Sequence, residues 1–155
     1  MEQNAFAEPI GTMPAVPADM RQKIDTLERA MLSMPQMEID PTHYFADGLY
    51  AREIFIPKGT ILTGKIHRTE HLNIISKGDI SVMTEHGIKR IKAPCTMVSK
   101  PGTKRVGYAH EDTVWTTIHA SAERDLDKLE VLLIAPTYEL IEQKESPCQL
   151  RQKVG

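Results

Sequence analysis

Met20, Ile24, Leu27, Met31 and Met34 recur at intervals of four, three, four and three residues, the spacing of one face of an α-helix. Asp19 stands ahead of the stripe as an N-cap, Gln22 three residues on completes a capping-box pattern, and Pro35 ends the helix. Before it, Met1 to Ala18 carries Pro9, Pro14 and Pro17 and reads as an extended, turn-rich arm. From Tyr44 the period changes. Tyr50–Ile56, Thr60–Ile66, His71–Ser76, Ile80–Thr84, Ile88–Lys92, Thr96–Ser99, Arg105–Ala109 and Thr113–Ala120 are short, β-branched or alternating runs. Pro57-Lys58-Gly59, Lys77-Gly78-Asp79 and Glu85-His86-Gly87 punctuate them as turns. Strands this short and this regularly interrupted predict an all-β sandwich or barrel. After Ala120 the pattern is helical at Asp125–Leu129. Glu130–Ile134 either extends that helix or forms a last strand, and a polar tail follows from Pro136. The expected division is an arm and helix over 1–43, a barrel over 44–135 and a tail with helical character over 136–155.

Length and composition narrow this picture. A chain of 155 residues suits a single domain, and at that size most of the unfolded chain's surface can be buried without a structural metal or disulfides. Nineteen basic residues against 21 acidic ones leave a net charge of −2, which argues against general nucleic-acid binding. Cys95 and Cys148 are far apart with no Cys-x-x-Cys spacing, which rules out a thiolate zinc site. The longest apolar run, Val131 to Ala135, is too short to cross a bilayer. The first twenty residues lack the basic and apolar segments of a secretory signal. A cytoplasmic protein, in a host cell or carried in a virion, is the expectation.

The chemistry is concentrated between Gly59 and Arg105. Gly59 is followed after five residues by Lys65-Ile66-His67, then by His71, then after six more by Gly78. Further on stands Pro101-Gly102-Thr103-Lys104-Arg105. This spacing resembles the two motifs of the cupin superfamily: a Gly, a His-x-His, a Glu and a Gly, then a Pro-x-Gly-x-x-His. The resemblance spans Tyr50 to Ala120, about half the chain. More loosely, the whole chain is similar to uncharacterised cupin-type proteins encoded by bacteriophages and prophages. It implies a small double-stranded β-helix, or jelly-roll, barrel with a pocket at its open end. In metal cupins three His and one Glu converge there on one divalent ion, and the corresponding positions here are Lys65, His67, His71 and Arg105. Only His67 keeps the family residue. Arg105 has no lone pair to offer, and Lys65 is a poor ligand while protonated.

The departures leave three readings of the site. Lys65, Arg105 and Lys104 make a cationic pocket with His67 and His71, suited to a carboxylate or phosphate. A metal site would need a third imidazole beside His67 and His71, from His119 or His110. In the third reading, Lys65 and Arg105 are structural and pair with Glu70, Glu111 or Asp112. On Thr113–Ala120 either Trp115, Thr117 and His119 or Val114 and Ile118 face inward, and the purely apolar pair favours the second. His43 and His86 read as surface loop residues, and Cys95 lacks a neighbouring base. No catalytic residue is assigned. The stripe of Met20, Ile24, Leu27, Met31 and Met34 covers either its own barrel or a neighbour in a homo-oligomer or larger assembly. The expected function is a non-catalytic, phage-type structural or assembly protein without a cofactor. The alternatives are a small-anion-binding module, or a metal-dependent cupin enzyme with one divalent ion at His67, His71 and His119.

Overall fold

Alternation of apolar and polar residues over runs of four to eight is what a half-buried strand requires, and these runs do form strands. The computed structural model describes residues 12–13, 18–84 and 87–137. The element order is β1 (Thr12–Met13), α1 (Ala18–Leu32), β2 (Thr42–Ala46), β3 (Leu49–Ile56), β4 (Ile61–Thr63), β5 (Ile66–His67) and β6 (His71–Lys77). There follow β7 (Asp79–Thr84), β8 (Gly87–Lys92), β9 (Cys95–Ser99), β10 (Val106–Ala109), β11 (Thr113–Ala120), α2 (Leu126–Leu133) and β12 (Ile134–Ala135). A six-stranded sheet runs β1-β9-β6-β11-β3-β2, a four-stranded sheet runs β4-β10-β7-β8, and β12 pairs with β5. Apart from the parallel pair β1–β9, the ladders are antiparallel. Ile56, Ile75 and Met97 of the larger sheet pack against Ile80, Val82, Ile91 and Ala109 of the smaller. This is the expected jelly-roll barrel, with one helix in the N-terminal region and a short one near the C-terminal end.

Four local expectations change. The helix begins at Ala18, so Asp19 lies in its first turn, where a carboxylate suits the helix dipole, and is not its cap. It ends at Leu32, leaving Met34 beyond it and exposed. The expected strand Thr60–Ile66 splits into β4 and β5: the Gly64 amide still bonds the Arg105 carbonyl (2.8 Å) in line with the β4–β10 ladder, and beyond it the chain leaves β10 and pairs with β12. Glu130–Ile134 is both things at once: α2, capped by Asp125 on the Lys128 amide, runs to Leu133, and β12 takes over. β2 carried no clear signal, since Thr42–Ala46 has only two half-buried side chains set among exposed ones. The proline-rich arm, apart from residues 12–13, and the tail from residue 138 lie outside the described residues, as do Glu85, His86 and Cys148.

α1 packs on its own barrel. Ile24 is fully buried against Val106, with Met20, Leu27 and Met83 around them. The polar side of the same contact is a buried ion pair. Lys104, 8% exposed, donates to Glu28 and lies 3.5 Å from Asp25, while the Thr63 hydroxyl donates to Glu28 (2.9 Å). Lys104 is therefore committed to the helix and not to the pocket. Ile24→Ala is expected to lower stability by about 2–4 kcal/mol, the usual cost of a large-to-small change at a fully buried site. Chemical denaturation checks this, and an unchanged midpoint would show the helix undocked.

Candidate functional site

Side chains on a strand alternate between faces, and the register of the large sheet stacks its inward residues in levels. Tyr50 pairs with His119, and His71 with Ser99, at the mouth. Arg52 pairs with Thr117, which pairs with Asn73, one level down. Ile54 pairs with Trp115, which pairs with Ile75, at the third. β2 adds Phe45 beside Tyr50 and His43 beside Arg52. The four-stranded sheet closes the other side, and the space between is a cavity of about 430 Å³. α2 lies over the mouth, its buried Leu129 and Leu133 packed on Tyr50. Its far end is tied down by the β12–β5 pair and by Arg68, whose amide donates to the Leu133 carbonyl (2.7 Å) and whose Nε donates to that of Ile134 (2.8 Å).

The inward set on β11 is therefore Trp115, Thr117 and His119, the reverse of what the apolar pair Val114 and Ile118 suggested. Trp115 packs against the main core, and its Nε1–H donates to Asn73 Oδ1 (3.0 Å). Asn73 Nδ2 donates in turn to Ser99 Oγ (2.8 Å). That buried chain satisfies the indole N–H.

Three imidazoles cluster at the mouth. Ring centroids are 4.2 Å apart for His67 and His71, 4.8 Å for His71 and His119, and 5.5 Å for His67 and His119. Burial, and next the neighbouring His71 and His119, push His67 down to about 3. Burial, then His71 and Arg52, pushes His119 down to about 4. His71 is lowered chiefly by burial, with Arg105 adding to the effect. All three are thus neutral near pH 7. The His71 Nδ1–H donates to the Thr69 carbonyl (3.0 Å), so its Nε2 presents a lone pair. His119 is 3% exposed, and its buried Nδ1 has no hydrogen-bond partner among the described residues. Neutral imidazoles are donors suited to a transition metal, but the cluster as it stands is not a ligand set: among the described residues no three His, Cys, Asp or Glu side chains are placed to hold a metal ion. The motif's carboxylate and last histidine positions are occupied by His71 and Arg105.

The cations divide differently from the sequence expectation. Arg105 is buried, 8% exposed, and lines the cavity. Lys65 sits on the rim, more than half exposed, bridged to Glu130 of α2 at 2.5 Å. The expected structural partners are used elsewhere: Glu70 holds Lys100 (2.6 Å), and Asp112 accepts the Lys58 amide (2.9 Å). Sequence reasoning missed Arg52, which enters the cavity from β3 and has no ion pair with any described carboxylate. The signal was available in Tyr50-Ala51-Arg52-Glu53-Ile54, where an arginine shares the face of Tyr50 and Ile54. His43 is not a surface loop residue. It lies on β2, and its Nδ1 bonds the Tyr50 hydroxyl (2.7 Å) at the cavity wall. His110 is remote from the cluster and bonds Ser81 (2.6 Å). Cys95 is half-buried in the barrel core, and burial raises its thiol.

No family model matches the chain, and no curated protein matches it significantly. Solved structures do. An uncharacterised conserved protein with a double-stranded β-helix domain from Klebsiella pneumoniae is similar over 59% of this chain and 85% of its own, at 12% identity and a TM-score of 0.49. An RmlC-like cupin from Shewanella frigidimarina is similar over 59% of this chain and 89% of its own, at 19% identity and a TM-score of 0.46. A cupin-2 domain containing protein from the same organism covers 65% and 98%, at 13% identity and a TM-score of 0.44. These likenesses lie in the arrangement of strands, and the chemistry of the pocket rests on its own residues. No described helix is long and apolar enough to cross a membrane.

Proposed function

We propose that this chain is a binding module whose barrel pocket captures a small organic anion. The observation that carries this reading is Arg52, a half-buried guanidinium directed into the cavity without a carboxylate to pair with among the described residues. A cation partly withdrawn from water gains from an anion that answers it, and a guanidinium presents a planar fork of donors matched to a carboxylate. Burial is the first cause of the lowered values of His43, His67, His119 and His71, and the cations add to it, Arg52 on the first three and Arg105 on His71. A bound anion would offset the part due to the cations. A scaffolding role in a virion or other assembly has less support, because the stripe that would make its contacts is spent at Met20, Ile24 and Leu27 on its own barrel.

The test is calorimetric titration of the parent and of Arg52→Gln with benzoate, hexanoate, succinate and inorganic phosphate. At least one should bind the parent. The variant should bind it roughly 10- to 150-fold more weakly, the worth of a hydrogen bond to a charged group. Equal binding by both proteins would end the reading.

One observation favours a second reading. The orphaned Nδ1 of His119, beside the lone pair of His71 Nε2 and the ring of His67, supplies the donors of a three-histidine transition-metal centre once the rings turn. A metal held there would supply Lewis acidity. Elemental analysis of the purified protein separates the two. The anion pocket predicts no stoichiometric metal. One equivalent of iron, manganese, nickel or zinc, lost in His67→Ala, would establish the metal centre instead.

A further inference from the structure

We infer that the ligand of this pocket is a monocarboxylate with a compact apolar body, inserted body first. The inference rests on the anion-pocket reading and adds the ligand's chemical class and orientation. It comes from how polarity is distributed with depth. At the mouth and the level below it the cavity presents imidazoles, the Arg52 guanidinium, the Thr117 hydroxyl and, opposite Gly64, Arg105. One level deeper it presents Ile54 and Trp115 from the large sheet, faced by Leu62, Ile80 and Val82 from the small one.

Among the described residues the floor offers a ligand no polar side-chain partner. Its one nitrogen donor, Trp115 Nε1, is already bonded to Asn73, and Asn73 is bonded to Ser99. A group that can hydrogen-bond would be stranded there, whereas methylenes would be taken out of water. Two strand residues separate the Arg52 level from the next equivalent position, a drop of roughly 7 Å. A carboxylate anchored at Arg52 therefore carries its body down onto Ile54, Trp115 and Val82. A purely inorganic anion would leave this apolar volume unfilled, and a dicarboxylate hung from Arg52 in this pose would carry its second charge below both Arg52 and Arg105, among aliphatic side chains. The ligand thus has one charged end and one apolar end, in that order from the mouth.

Titration of the full-length chain with acetate, butanoate, hexanoate, succinate and inorganic phosphate tests this. Affinity should rise about fourfold for each methylene added from acetate to hexanoate, with succinate and phosphate weaker than hexanoate. Val82→Phe, which fills the floor, should abolish the gain from butanoate to hexanoate. Leu62→Ala, which enlarges the floor without adding bulk, guards against a misfolded first variant and should still bind hexanoate more tightly than acetate. If affinity is flat along the series, or phosphate or succinate binds best and Arg52→Gln abolishes that binding, the anion pocket stands and the apolar-body inference falls. If no probe shows Arg52-dependent binding, both fall.

Discussion

Gly78→Ala should be among the most damaging single substitutions in the barrel, costing about 3 kcal/mol or more. Gly78 joins β6 to β7, the point at which the chain leaves the large sheet for the small one. Its φ is +107°, in the region that residues with a Cβ avoid. The conformation alone costs an L-residue roughly 1–2 kcal/mol. Space is the larger problem. An added Cβ would lie 2.3 Å from Thr113 Oγ1 and 2.6 Å from both the Asp112 carbonyl oxygen and the Thr113 Cα. Two of those three atoms are backbone. Thr113 is fully buried at the start of β11, so neither strand can yield without opening the β6–β11 ladder. Overpacking of this kind adds roughly 1–3 kcal/mol. Denaturation by urea, followed by circular dichroism, measures the loss. A cost below about 1 kcal/mol would contradict the tight crossing between the sheets. Gly48→Ala is the control: its φ of +71° is also positive, but nothing lies within 4 Å of the added carbon, so only the conformational cost should appear.

Acid should destabilise the protein in a window set by the imidazole cluster. In the unfolded chain His67, His71 and His119 take up protons near the ordinary value of 6.5. In the folded protein His67 is held to about 3, His119 to about 4, and His71 is lowered. Below 6.5 the unfolded state binds protons that the folded state refuses, so stability is complete above 6.5 and declines as the pH falls toward 4. Each imidazole contributes up to about 1.4 kcal/mol per pH unit. Two of them acting over that window amount to a loss on the order of 5 kcal/mol, comparable with the whole stability of a small domain. Asp79 does not confuse the measurement. Its carboxyl is lowered, first by its hydrogen bonds to Arg90, from an ordinary value of 3.8, so its contribution is lost only at more acid pH. Denaturant midpoints between pH 7 and 4 should fall steeply for the parent and less steeply for His67→Asn. A flat profile would mean that the three rings are hydrated and apart.

Much of the site was legible because its spacing is local. His67 and His71 are separated by a bend at Arg68 and Thr69 between β5 and β6, so the Gly59–His67–His71–Gly78 intervals bring both rings to the barrel mouth. Arg105 follows from the second motif, at the entry to β10. His119 was a candidate third imidazole, and it closes the cluster. Arg52 and His43 were not legible in the same way, since β3 and β2 reach the pocket only through a non-local ladder with β11. Lys65, at a motif position, is drawn to the rim by Glu130 from a helix 65 residues further along the chain.

By itself the sequence determined the all-β class, the amphipathic α1 and the turn glycines, because these depend on period, on proline and glycine conformation and on nearest neighbours. It also determined that alternate residues of β11 form two sets, since strand geometry fixes a period of two. Tertiary structure alone decided which set faces the cavity. A period has no phase until the strand is paired, and the phase came from pairing Thr117 with both Arg52 and Asn73. The same long-range pairing decided that Lys104 serves α1 while Arg52 serves the pocket. Ion pairs form between whichever charges the packed elements bring together, and chain distance along the sequence does not encode that.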